Sequence, residues 1–105
     1  TATSMKNLTA VKRITIYADA HLEKNLLEKL AHFGAKGYTL VDARGGGARA
    51  VVQDVFGRSP MVRIEVIANE ATAQKIVDHL RRDVLGLQAV TVTAEGVSVI
   101  RGDHF

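Results

Sequence analysis

Cysteine and tryptophan are both absent from the 105 residues, and aromatic side chains make up only 5% of them. Without a thiol there is no disulfide, no thiolate nucleophile and no thiolate metal ligand. The lack of cysteine fits the cytosol, where disulfides are rare, although a secreted domain can also do without it. No apolar run approaches the roughly 20 residues that cross a bilayer, and no signal-peptide pattern is present. A cytoplasmic chain with no membrane insertion is therefore expected. The shortage of aromatics weighs against RNA, because RNA-recognition sheets stack bases on aromatics in their central strands. Here the expected open sheet face offers Tyr17, and residues 61–68 carry no aromatic at all. A net charge of +3 is also far from a dense basic patch, so no nucleic-acid partner is expected.

Catalytic patterns are missing as well. None of His21, His32, His79 and His104 has a carboxylate or a second histidine at metal-ligand spacing, so no metal is predicted. Helical spacing puts His32 and His79 on the wet sides of two helices, and His21 opens the first. Ser59 and Ser98 lack a nucleophile-elbow setting. Asp42 and Asp54 read as solvated charges beside a loop. No catalytic residue is assigned, and the chain reads as a non-enzyme.

What is present is a regular alternation of strand and helix patterns. Residues 1–5 are expected to be a disordered start, with residues 1–4, ahead of Met5, a cloning remnant; residues 6–105 form one domain. Residues 6–11 show no period and are expected to be loosely held. Residues 13–18 alternate, setting Ile14, Ile16 and Ala18 on one face and Thr15 and Tyr17 on the other. Asp19 is placed as the N-cap of a helix whose stripe is Leu22, Leu26, Leu27, Leu30 and Phe33, with Gly34 ending it. A second strand covers residues 38–41, and a third covers 61–68 with Val62, Ile64, Val66 and Ala68 inward. Asn69 suits the cap of a second helix, with Ala73, Ile76, Val77, Leu80 and Val84 as its stripe and Gly86 at its end. A fourth strand spans 89–93, Glu95-Gly96 turns the chain, and 97–100 makes a short fifth strand. The order predicts an α+β fold: a ferredoxin-like βαββαβ sandwich with a short extra C-terminal strand. Both helices then cover one sheet face. The other keeps Thr15, Tyr17, Thr39, Val41, Arg63, Glu65 and Ile67, a partly apolar surface that favours self-association.

Between the second and third strands the chain is expected to break at Asp42-Ala43-Arg44 into Gly45-Gly46-Gly47. Glycines let backbone N–H groups approach a ligand closely, and Arg44 and Arg49 bracket them. A donor-rich, positively flanked segment suits phosphate or another small anion. The same composition also serves as a solvated hairpin connection.

Gly37-Tyr38-Thr39-Leu40-Val41 leading to Arg44-Gly45-Gly46-Gly47, then Pro60-Met61-Val62-Arg63-Ile64-Glu65-Val66-Ile67, resembles the nitrogen-regulatory PII signalling proteins. In that family a similar "G-M-T-V…K-G-F-G" enters the long T-loop, and "P-K-V-K-I-E-I-V-V" leaves it. The resemblance runs from about Lys12 to Arg101. It implies a homotrimer that binds ADP or ATP in clefts between subunits and signals through the T-loop. By position it implies that Thr39 contacts adenine, that Ile67 lies beside it, and that Gly45 and Gly47 lie near the phosphates. Arg44, Gly46, Gly86, Leu87, Gln88 and Arg101 complete the implied nucleotide site.

The departures shape the expectation. The connection from Gly47 to Pro60 is shorter than a full T-loop and has no modifiable tyrosine. Arg49 stands where the family has the glutamine that helps hold Mg-ATP and 2-oxoglutarate. The "T-G-x-I-G-D-G-K" loop is cut to Leu85-Gly86-Leu87-Gln88, without its lysine. "R-I-R-T-G" has shrunk to Ile100-Arg101-Gly102. Fewer cations imply ADP or AMP rather than Mg-ATP. The trimmed pattern is closest to the PII-like branch associated with inorganic-carbon uptake and carboxysomes. That branch implies bicarbonate as a second ligand, near Arg44, Arg49 or Arg101, and a bicarbonate transporter or carboxysome-associated protein as target. The alternative is a ferredoxin-like assembly or small-ligand module, ACT-like or a copper-tolerance-type trimer, with no nucleotide. ACT domains usually carry their ligand glycine between the first strand and helix, where this chain has Ala18-Asp19-Ala20-His21.

Overall fold

The computed structural model describes residues 7–46, 58–83, 90–100 and 104–105. Its elements follow in the order β1 (Leu8–Asp19), α1 (Glu23–His32), β2 (Thr39–Gly45), β3 (Ser59–Ala68), α2 (Glu70–Asp83) and β4 (Val90–Ile100), with a 3-10 turn at Ala20–Leu22 ahead of α1. The strands form one antiparallel sheet in the order β2-β3-β1-β4. This is the ferredoxin-like arrangement that the order of elements predicts.

The core lies between the sheet and the two helices. Alternation along β1 and β3 drives Ile14, Ile16, Ala18, Val62, Ile64, Val66 and Ala68 to the helix side, where all are buried. They meet Leu26 and Leu30 of α1 and Ala73, Ile76 and Leu80 of α2, with Leu22, Leu27, Phe33 and Val77 packed around them. The central pair of strands thus carries the deepest contacts, and both helix stripes face them.

The helix ends are fixed by specific bonds. Asn69 Oδ1 accepts the Thr72 N–H at 2.8 Å, so Asn69 caps α2 as its sequence position suggests. At the end of α1, Gly34 takes φ +95°. The Gly34 N–H donates to Ala31 O at 3.1 Å and the Ala35 N–H to Leu30 O at 3.0 Å, the paired bonds of a Schellman motif.

Five local expectations are corrected. Residues 8–11 are not loose: they are the first third of β1 and pair with residues 97–100. The strand pattern is hidden there because these residues run past the end of β3, whose last rung is Lys12 opposite Ala68, so no second neighbour imposes alternation. Glu95-Gly96 does not turn the chain, and the separate fifth strand is the far half of β4. Gly96 stays extended opposite Lys12 because β1 is long enough to pair on both sides of it. Asp19 makes no side-chain cap bond, since the 3-10 turn intervenes before α1 begins. The second strand does not break at Asp42-Ala43-Arg44 but continues to Gly45, held by β3 through the rung Gly45 opposite Ser59. His79 is buried rather than wet, because its ring stacks on Phe33 across the seam between α1 and α2 at 4.1 Å. Val84 and Gly86 lie outside the described residues.

Candidate functional site

The two faces of the sheet differ in the way the alternation requires. On the face opposite the helices, Thr39, Glu65, Thr15 and Thr93 form one row across all four strands. Val41, Arg63, Tyr17 and Thr91 form the next. Thr15, expected to lie open, is only 6% exposed, whereas Tyr17 is 39% exposed. Arg63 Nε is buried and makes no hydrogen bond within the described residues. An unpaired buried polar group costs on the order of 1–3 kcal/mol.

A cleft opens where β2 begins later than β3 ends. Thr39 is the first residue of β2 and sits opposite Glu65. β3 runs on for three residues to Ala68, so Ile67 has no β2 residue beside it. The chain leaving the α1 cap passes there instead, and Lys36, Gly37 and Tyr38 border the gap together with Thr39. Glu65 and Ile67 line it from β3, and His104 and Phe105 close the remaining side. The volume is about 450 Å³, within the ~300–1,000 Å³ typical of small-molecule sites. Among the described residues its walls combine an aliphatic side chain, the rings of Tyr38, His104 and Phe105, the hydroxyls of Thr39 and Tyr38, and one charge of each sign.

The cations nearby are not equally available. Arg13 is the β1 partner of Ile67, but its guanidinium turns toward β4 and its Nε donates to Glu95 Oε1 at 2.9 Å. That hydrogen bond, reinforced by the glutamate's charge, raises the Arg13 pKa further above its ordinary value. Lys36 is therefore the cation on the cleft wall itself.

The structure brings together Thr39 and Ile67, the two residues assigned to the adenine end. Arg44, Gly45 and Gly46 sit at the opposite end of β2, six residues from Thr39 and so about 20 Å along the strand. There Ser59 Oγ donates to Gly45 O at 3.1 Å. A methyl group on Gly45 would fall 2.5 Å from Met61 Sδ, so that side chain would have to swing aside. Gly47, Arg49, Gly86, Leu87, Gln88 and Arg101 lie outside the described residues. The sequence reading missed Lys36, Tyr38, Glu65, His104 and Phe105 as cleft residues. Strand alternation puts Glu65 on the same face as Thr39, and the register makes them neighbours; no local signal points to Phe105.

Among the described residues no group of three or more His, Asp or Glu side chains is placed to hold a metal ion. Among them, too, no helix is long and apolar enough to cross a membrane.

Comparison with known proteins gives a consistent result. The family model for nitrogen regulatory protein P-II matches residues 11–104. None of the curated proteins matches the chain. Among solved structures, one described as a PII-like signalling protein from Thermus thermophilus is 36% identical, with a TM-score of 0.79, covering 94% of this chain and 98% of that one. CPII, a nitrogen regulatory PII-like protein from Thiomonas intermedia solved with ADP, AMP and bicarbonate, is 19% identical, with a TM-score of 0.76 and coverage of 90% and 97%. B. subtilis GlnK in complex with ATP is 12% identical, with a TM-score of 0.63 and coverage of 84% and 82%. At these last two identities the likeness is one of fold.

Proposed function

The chain belongs to the nitrogen regulatory protein P-II family, and from that premise we propose that it is a trimeric sensor of adenine nucleotide, ADP or AMP, with bicarbonate as a second ligand. The observation that carries this reading is the meeting of Thr39 and Ile67 on one cleft of about 450 Å³. An aliphatic wall and a hydroxyl suit the face and edge of a base. Arg44 and Gly45 lie about 20 Å from Thr39 along β2, farther than ADP reaches, so the phosphates of a base seated at Thr39 fall to the corresponding residues of a second copy. Assembly supplies what one chain lacks. The open face carries the exposed Tyr17 and the orphaned Arg63 Nε, and a second copy laid on it would cover the first and pair the second.

In this reading the signal passes through the segment 44–58, the T-loop by resemblance. The ligand biases it by preferring one of its conformations, without which no switch operates. The target is a bicarbonate transporter or a carboxysome-associated protein. A purely structural module of the same fold would have no use for a base-sized cleft beside Thr39.

Isothermal titration with ADP, AMP, Mg-ATP and bicarbonate tests the reading. ADP or AMP is expected to bind without a strong preference for Mg-ATP. Thr39→Val is expected to weaken ADP by about 0.5–1.5 kcal/mol, the ordinary net value of one hydrogen bond. No heat and no thermal stabilisation with either nucleotide at millimolar concentration would refute it.

A further inference from the structure

We infer that Phe105 is a base-stacking wall of the cleft and that Asn69 holds it there, an assignment that rests on the nucleotide reading above. The ring is half-buried and lines both the cleft and the small crevice next to it, beside Ala68 and Thr72. It borders the cleft without filling it, because about 450 Å³ remains open with the ring in place. Ile67 lines the same cleft with an aliphatic surface, and Thr39 and Glu65, neighbours across β2 and β3, offer it a hydroxyl and a carboxylate. A flat group with a polar edge fits such a slot. A purine with an exocyclic amine gives its faces to Phe105 and Ile67 and a hydrogen-bond donor to Glu65.

A single amide anchors two elements at once. Asn69 Oδ1 accepts the Thr72 N–H at 2.8 Å and caps α2, while Nδ2 donates to the main-chain oxygen of Phe105 at 2.5 Å. The backbone of Asn69 is fixed as well, since its carbonyl accepts the Ala73 N–H at 2.9 Å. Phe105 is thereby tied to a rigid helix end rather than left to its own segment. A wall positioned before the ligand arrives costs no ordering entropy on binding. Asn69 is thus a positioning residue that acts on the ligand only through Phe105.

The two roles of Asn69 are separable by one substitution. Asn69→Asp keeps a capping acceptor of equal quality and removes the donor to Phe105. Calorimetry with ADP would be run on the full chain and on Phe105→Ala, Phe105→Trp and Asn69→Asp, with melting temperatures measured alongside. Phe105→Ala is expected to weaken ADP by roughly 5- to 150-fold, the range of one base–aromatic stack. Asn69→Asp is expected to reproduce part of that loss with an unchanged melting temperature, which a merely structural cap would not do. Phe105→Trp is expected to keep binding. Since the chain has no other tryptophan, ADP should quench the emission of that variant directly. ADP affinity that is equal or tighter in Phe105→Ala overturns the inference while leaving the nucleotide reading intact, as does unquenched emission at saturating ADP. Failure of the unaltered protein to bind ADP removes both.

Discussion

Replacing His79 by leucine should flatten the acid side of the stability profile. The imidazole is 8% exposed and stacks on Phe33 with its centroid 4.1 Å away and the planes 29° apart. Leu30, Ile76 and Leu80 complete an apolar surround. Charged groups reach it from both helices: Asp83 and Arg82 on α2, Lys29 and His32 on α1. Burial is the largest influence and lowers the His79 pKa from 6.5; Asp83 opposes it, and Lys29, Arg82 and His32 add to it. Asp83 Oδ2 lies 2.7 Å from Nδ1 but without hydrogen-bond alignment, and neither ring nitrogen has a hydrogen-bond partner among the described residues. The carboxylate is also shared: its hydrogen bond from Arg82 is the main reason its own pKa is lowered. A partly exposed i,i+4 pair contributes about 0.3–0.5 kcal/mol, whereas a buried polar group left unpaired costs about 1–3 kcal/mol. Desolvation wins.

The direction follows from proton counting. Below pH 6.5 the unfolded chain takes up a proton at this imidazole before the folded one does. Stability is therefore complete above about 6.5 and falls as the pH drops toward the folded pKa, where the loss levels off. Each unit between the two pKa values corresponds to about 1.4 kcal/mol. Urea denaturation followed by circular dichroism at a series of pH values between 7.5 and 5, at one fixed protein concentration, reads the effect. His79→Leu keeps the ring's approximate volume and removes the titration. We expect it to lose less stability than the unaltered protein across that range. Parallel profiles would refute the account of a buried neutral imidazole. A steeper profile in the leucine variant would show that the Asp83 pair outweighs desolvation.

The fold makes two further predictions. Ile64 is fully buried on the central strand, so Ile64→Ala should cost about 2–5 kcal/mol and Ile64→Val about 0.5–1.5 kcal/mol by chemical denaturation. Gly34→Ala should cost about 1–2 kcal/mol, because φ is +95° while the nearest atom to a new methyl, Thr72 Cγ2, stands at an ordinary 3.6 Å; a melting temperature equal to that of the unaltered protein would contradict the Schellman assignment.

Much of the architecture was legible because its signals are local. Period-two alternation over 13–18 and 61–68, the Leu26 and Leu30 stripe, Gly34 and Asn69 each state their role within a few residues. Thr39 and Ile67 were found through resemblance and fall on one cleft. What escaped has a different character. His79 sits at a surface position by helical spacing and is buried only because Phe33 of the other helix lies over it. Gly96 reads as a turn residue, yet remains extended because a 12-residue β1 keeps pairing alongside it. Phe105 joins the cleft through a bond to Asn69, 36 positions away. In each case the deciding partner is remote in sequence, so no short window could display it.

The extension of β1 and β4 past the last rung of β3 leaves a two-stranded ribbon, residues 8–11 against 97–100, attached to a four-stranded body. Among the described residues Ile100 at its outer end is 74% exposed, while Val11 at its base is buried. Two strands alone are marginal in water, so the ribbon can unzip from its tip while Ile14 and Ile16 stay sealed. Amide protection should accordingly climb along a single strand, from residue 8 to residue 16, in steps set by how many neighbours each rung has. The sheet thus contains its own gradient of opening free energies, low in the two-stranded ribbon and equal to global unfolding at the centre.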